Sequence, residues 1–138
     1  MTEALERVSI SLGGAYCNLG IVHRVNHDLP ASLDALVKSL AALQPLLAGA
    51  GKYNNTAKRY AVNAGWNKAR TLCVRAADEP AEARANTIAE CLSLLRECQE
   101  IIPGSLKGFL GSMTAYPDFA PLRESEAGAA FLKTLSEK

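Results

Sequence analysis

Leu33-Asp34-Ala35-Leu36-Val37-Lys38-Ser39-Leu40-Ala41-Ala42-Leu43-Gln44-Pro45-Leu46-Leu47 decides the fold class. Leu33, Leu36, Val37, Leu40, Leu43 and Leu47 recur at the three-four spacing of one helical face, not the alternation of a strand. Pro45 should kink this helix or end it early. Pro30 fits a first helical position, with Asp28 or Ser32 placed to cap. Working back, Leu5, Val8, Leu12, Ala15, Leu19 and Val22 form an earlier stripe, and Thr2 followed by Glu3 and Glu6 suits its start. Gly13 and Gly14 weaken that helix by about 1 kcal/mol each, and such small residues let a neighbouring helix approach closely. Working forward, Ala48-Gly49-Ala50-Gly51 reads as a linker. A third helix is predicted from Thr56 to Ala77, with Asn54 or Asn55 as cap, and Asp78-Glu79-Pro80 closes it. Ile88, Cys91, Leu95, Cys98 and Ile102 carry a fourth. After Pro103-Gly104, a shorter face resumes at Leu106, Phe109, Leu110 and Met113. Tyr116-Pro117 and Ala120-Pro121 mark a loose region, and Ser125 to Leu135 a weakly held short helix.

No segment has a period of two, so no strands are expected. The expected fold is all-α: an antiparallel up-down four-helix bundle over residues 1–116, followed by a loosely held extension over 117–138. With 138 residues, 49% hydrophobic and 21% charged, the chain can bury a core of its own and is excluded from the disordered class. Its longest uncharged run, Val8 to His23, is broken by glycines and falls short of the roughly 18 apolar residues that read as a membrane span. The first residues carry acids where a signal peptide has cations, so the cytoplasm is the expected location. Cys17, Cys73, Cys91 and Cys98 contain no CxxC pair and read as small buried hydrophobes.

The net charge of +1 conceals an uneven distribution. Lys52, Lys58, Arg59, Lys68, Arg70 and Arg75 lie in a segment that has no acid from Ala35 to Ala77, whereas residues 78 to 100 are acidic. On the third helix, Ala61, Val62, Trp66, Ala69, Leu72 and Cys73 share the expected core arc, and Arg59, Asn63, Asn67 and Arg70 lie beside it. Guanidinium forks and amides without competing carboxylates suit phosphates or an acidic protein surface. The candidate binding residues are therefore Lys52, Lys58, Arg59, Asn63, Asn67, Lys68, Arg70 and Arg75. Tyr60 and Trp66 are candidates to stack on bases, although core packing is the commoner role for both. His23 and His27 are four apart but lack further ligands, so no metal is expected. His27-Asp28-Leu29 has the letters of a sensor-kinase phosphoacceptor box, but Pro30 and the lack of a nucleotide-binding segment argue against it. No catalytic residue and no cofactor is expected.

The segment from Ala50 through Gly51-Lys52-Tyr53-Asn54-Asn55 to Arg70 resembles the accessory variability determinant proteins of diversity-generating retroelements. The matching positions are Gly51, Lys52, Asn54, Lys58, Tyr60, Ala61, Ala64, Gly65 and Arg70. Gly108-Phe109-Leu110-Gly111-Ser112 is similar to the family's end of the last helix, as is Leu29-Pro30 to its second-helix start. The chain departs from the family at Met113, where tryptophan is usual, at the Pro103-Gly104 break, and beyond Tyr116. The resemblance implies a homopentamer of four-helix bundles. It also implies a non-enzymatic accessory subunit that binds the reverse transcriptase and template-repeat RNA, supporting adenine-directed mutagenic cDNA synthesis. A second reading, an unrelated helical-bundle adaptor or inhibitor, rests on the two charge halves and the amphipathic segment after Gly104.

Overall fold

The computed structural model describes residues 2–137 and is all-α, with no strand among the described residues. The long helices are α1 (Glu3–Val25), α2 (Leu29–Leu47), α3 (Asn54–Ala76) and α4 (Ala81–Ile101). Beyond them come a 3-10 turn (Ser105–Phe109), α5 (Leu110–Ala115), a second 3-10 turn (Pro117–Phe119), α6 (Ala120–Glu124) and α7 (Glu126–Ser136). The chain divides into two compact units, Met1–Lys68 and Ala69–Lys138, and the division falls within α3.

In the first unit, α1 and α2 form an antiparallel hairpin whose joint is built from local rules. The Thr2 hydroxyl accepts from the Leu5 N–H, capping α1. At the other end, the His27 N–H donates to the Arg24 carbonyl and the Asp28 N–H to the His23 carbonyl, both at 2.9 Å. This is a Schellman motif, with His27 in the left-handed position (φ 61) that glycine usually fills. Asp28 then accepts from the Ala31 N–H and caps α2. His27 is therefore the pivot of the hairpin. The α2 helix runs past Pro45 to Leu47, so the proline does not end it early.

The hairpin contacts repeat every seven residues. The Ser39 hydroxyl donates to the Gly13 carbonyl at 2.6 Å, and the Ser32 hydroxyl to the Gly20 carbonyl at 2.7 Å. A Cβ on Gly13 would lie 2.5 Å from Leu43 Cδ2, and one on Gly20 would lie 2.6 Å from Leu36 Cγ. Bare backbone at both positions lets the helices touch and exposes carbonyls to the serines. Leu36, Leu43 and Leu46 are buried on α2, while Val37 faces outward. Cys17, Leu36 and Ala64 form a core cluster with Ile21 and Leu40 against it.

The outcome on α1 differs from the expected one. Its regular stripe, Leu5, Val8, Leu12, Ala15, Leu19 and Val22, is exposed, and the buried positions are Gly13, Cys17, Gly20 and Arg24. The reason is packing distance: glycine admits α2 more closely than a leucine stripe would.

In the second unit, four of the five expected α4 stripe residues, Ile88, Cys91, Leu95 and Cys98, are buried, joined by Leu92 and Leu94, whereas Ile102 is half-buried at the extended C-cap. Gly104, at φ 81, breaks the chain after α4. Ser105 and Gln99 then close the helix end, the Ser105 hydroxyl donating to the Cys98 carbonyl and the Leu106 N–H to Gln99 Oε1. The described part of the expected loosely held extension, residues 117–137, instead contributes to the core. Phe119 and Leu122 are completely buried, and Leu132 and Leu135 nearly so. Across the expected boundary at 116, the Arg123 guanidinium donates to the Met113 and Tyr116 carbonyls at 2.9 and 2.8 Å. Proline in the loose-looking segment initiates short helical turns rather than disorder.

Candidate functional site

The core face predicted for α3 is the face that is buried: Ala61, Val62, Trp66, Ala69, Leu72 and Cys73, with Ala57, Ala64 and Ala76. Trp66 is thus core. Tyr60 stays 39% exposed and lies beside Gly14, where a Cβ would come within 3.2 Å of its ring. Together with Cys17, Asn18 and Asn63 they line a shallow groove in the first unit.

The helix begins at Asn54, two residues before the expected start, so both expected caps, Asn54 and Asn55, lie inside it, and the hydrogen bonds of the Asn54 side chain go to another helix. Its side-chain amide donates to the Leu46 and Leu47 carbonyls at 2.9 and 3.0 Å, satisfying the end of α2. The α2–α3 connection is therefore stitched by a side chain whose residue type suggested a cap.

The eight candidate binding residues separate into three groups by what the fold does with them. In the first unit, Lys58, Arg59 and Lys68 reach no carboxylate among the described residues; Arg59 is exposed and the two lysines are half-buried. Asn63 is exposed as well. The Asn63 side chain is already engaged, its amide donating to Cys17 Sγ at 3.6 Å and its Oδ1 accepting from the Asn67 amide at 3.2 Å, so the three cations are what remains open to a partner.

A second group is engaged at the surface. Lys52 Nζ lies 3.1 Å from Glu3 Oε1, and the Tyr53 hydroxyl donates to the same oxygen at 3.2 Å. The Lys52 hydrogen bond and charge, then the Tyr53 hydroxyl, hold the Glu3 carboxyl below the usual carboxylate range. Glu3 in turn raises the Lys52 ammonium. In the second unit, Arg70 Nε donates to Asp118 Oδ2 at 2.6 Å, and its guanidinium lies 5.1 Å from the Tyr116 ring centroid. Arg75 donates to the Thr87 hydroxyl at 3.3 Å and lies 3.8 Å from Glu79.

Asn67 forms the third group by itself. It is buried, its Oδ1 accepts from Arg24 Nη1 at 3.1 Å, and its amide donates to the Asn63 carbonyl at 2.8 Å. Its work is to seat the α1 arginine inside the first unit. No sequence signal linked position 24 to position 67, because the two lie 43 residues apart on different helices.

The four cysteines are buried and none of them is in a disulfide. Cys73 and Cys91 bring their sulfurs to 3.1 Å, and the Cys91 thiol donates to the Ala69 carbonyl at 2.9 Å. The contact with Cys73 and then burial push the Cys91 thiol well above its ordinary pKa, and burial lifts Cys98 to about 12. Such thiols stay protonated and unreactive. Among the described residues, no cluster of three or more His, Cys, Asp or Glu is placed to hold a metal ion, and no helix is long and apolar enough to cross a membrane.

A surface of this kind offers positive charge and amide donors. Compared with known proteins, the chain matches no protein family, no curated protein and no solved structure.

Proposed function

We propose that this chain is a non-enzymatic accessory subunit of a diversity-generating retroelement. It binds the reverse transcriptase and the template-repeat RNA, in the cytoplasm, and supports adenine-directed cDNA synthesis as a homopentamer of antiparallel up-down four-helix bundles. Metal and nucleotide chemistry belongs to the polymerase.

The observation that carries the reading is the set Lys58, Arg59 and Lys68, three cations with no carboxylate partner among the described residues. Cations already paired within a chain release few counterions on binding RNA, whereas unpaired ones do so fully. The half-exposed Tyr60 adds a ring face close to Arg59 in the sequence. The adaptor reading drew on a spare amphipathic segment after Gly104, but Leu106 and Met113 from that segment are completely buried.

The test is a Lys58→Glu, Arg59→Glu, Lys68→Glu triple variant, assayed for template-RNA binding and reverse-transcriptase capture at several salt concentrations. Each lost phosphate contact should lower the slope of log K against log salt by about 0.7 to 0.9. Helical circular dichroism should not change, since all three side chains lie outside the core. RNA and polymerase binding that survive the triple reversal at low salt would refute the proposal.

A further inference from the structure

Side-chain contacts set the register of α3 against α4 inside the second unit. The Arg84 guanidinium donates to the Ala76 carbonyl, Arg75 to the Thr87 hydroxyl and the Cys91 thiol to the Ala69 carbonyl, across separations of 8, 12 and 22 residues. The separation widens away from the turn at Asp78, as it does along an antiparallel pair. Within that ladder lie Cys73 and Cys91, 18 residues apart, both completely buried and with their sulfurs 3.1 Å from each other. At that distance no other atom can lie between them. Disulfide sulfurs sit at about 2.05 Å, so each would have to move by only about half an ångström. Sliding one helix by a turn, about 5.4 Å, would part them. The register that the arginines hold is therefore the register that pairs the sulfurs.

We propose that Cys73 and Cys91 are an oxidisable pair, which hydrogen peroxide converts into a disulfide tying α3 to α4 by way of an open form of the second unit. The closed form does not react. Cys91 spends its hydrogen on the Ala69 carbonyl, so Cys73 is the donor between the sulfurs, and neither is a thiolate. When α4 lifts from α3, both contacts are lost and water reaches the thiols. A solvated cysteine ionises with a pKa of about 8.5, which gives a few per cent thiolate at neutral pH.

That thiolate attacks one oxygen of the peroxide. The O–O bond breaks, the departing hydroxide takes a proton to become water, and the sulfur is oxidised to a sulfenic acid. Reclosure brings the second cysteine back to it. The second sulfur gives up its proton and displaces hydroxide from the sulfenic sulfur, and proton and hydroxide leave as a second water. Two thiols and one peroxide thus become one disulfide and two waters. Once closed, the bond is buried, and a reducing thiolate meets the same barrier that the oxidant met.

The inference does not rest on the retroelement reading. The full chain is treated with one equivalent of hydrogen peroxide in urea well below its unfolding midpoint, then denatured, alkylated and digested. Trypsin leaves each cysteine on its own peptide, with Cys73 on Thr71–Arg75 and Cys91 on Ala85–Arg96. Those two peptides should appear joined and lighter by two hydrogens, while Cys17 and Cys98 take up the alkylating reagent. More urea within the folded range should speed the joining, because it populates the open form. The joined chain should melt roughly 10 °C above the reduced one, and dithiothreitol should reverse the shift only in high urea. Cys73→Ser should abolish the joined species and the shift, and Cys98→Ser should keep both. Should Cys73→Ser fail to fold by circular dichroism, the double variant Cys17→Ser, Cys98→Ser, in which only the pair remains, supplies the same readouts. A disulfide formed preferentially with Cys17 or Cys98 overturns the inference. So does sulfinic acid on Cys73 or Cys91 without a disulfide, a disulfide that lowers the melting temperature, or no reaction at any urea concentration in the folded range.

Discussion

Helices α1 and α4 present apolar stripes of equal regularity and meet opposite fates. On α4, Ile88, Cys91, Leu95 and Cys98 are buried; on α1, Leu5, Val8, Leu12, Leu19 and Val22 remain at the surface. The difference lies in what else each helix carries. On its other face α1 has Gly13 and Gly20, seven apart, opposite Ser32 and Ser39, also seven apart. Close backbone approach with two serine hydrogen bonds wins the contact with α2, and the bulkier stripe is left outside it. The α4 helix has no such alternative face. Periodicity thus detects a helix and its apolar side, but not which side the chain itself will cover.

The sharpest way to break this contrast is to remove the same atoms from both stripes. Leu95→Ala, at a completely buried site, should cost about 2–5 kcal/mol. Leu12→Ala should stay within about 0.5 kcal/mol when urea unfolding is followed at a dilution where the chain is monomeric. A comparable loss at both sites would mean that Leu12 is covered within the chain.

Next in size is the glycine face. Gly13→Ala and Gly20→Ala each force a Cβ against Leu43 or Leu36, and overpacking of this kind costs about 1–3 kcal/mol. Gly111→Ala in α5 meets nothing within 4 Å, so it should gain about 0.5–1 kcal/mol as an ordinary helical site does. Opposite signs in thermal unfolding would locate the close approach at the hairpin. His27→Gly should also gain, by roughly 1 kcal/mol, because a left-handed non-glycine residue carries that cost.

The charged residues come last. Asp118→Asn removes the partner of Arg70 at a site where both side chains are about one-third exposed or less. The expected cost is about 0.5–1 kcal/mol, best measured in a double-mutant cycle with Arg70→Gln. Zero coupling energy would return Arg70 to the set of open cations. Glu3→Gln should have the smallest effect, and one that depends on pH. The folded Glu3 carboxyl is held below its ordinary value of 4.5, so the stabilisation is present above that value and disappears as pH falls through the lowered folded value. Wild-type and variant urea midpoints should differ near neutrality and converge in acid.

For the candidate site, residue type was legible and availability was not. The basic stretch is free of acids along the chain, yet Glu3 and Asp118 arrive from elsewhere to meet Lys52 and Arg70, and Glu79 reaches back one turn to Arg75. A charge partner 48 or 49 positions away leaves no mark on local spacing. Asn67 was sorted by the helical wheel to the edge of the core, and burial around Arg24 placed it inside that edge.

Local chemistry in the sequence determined the helices themselves: the Thr2 and Asp28 caps, the Pro30 start, the Pro103-Gly104 break and the buried arcs of α3 and α4. These depend on neighbours within about one helical turn, which a sequence displays directly. Tertiary structure alone decided which face of α1 is covered, that residues after Tyr116 are core, and which cations remain open. Each of those outcomes is set by distances between segments far apart in the chain, where a methyl group's difference in approach selects one face over another.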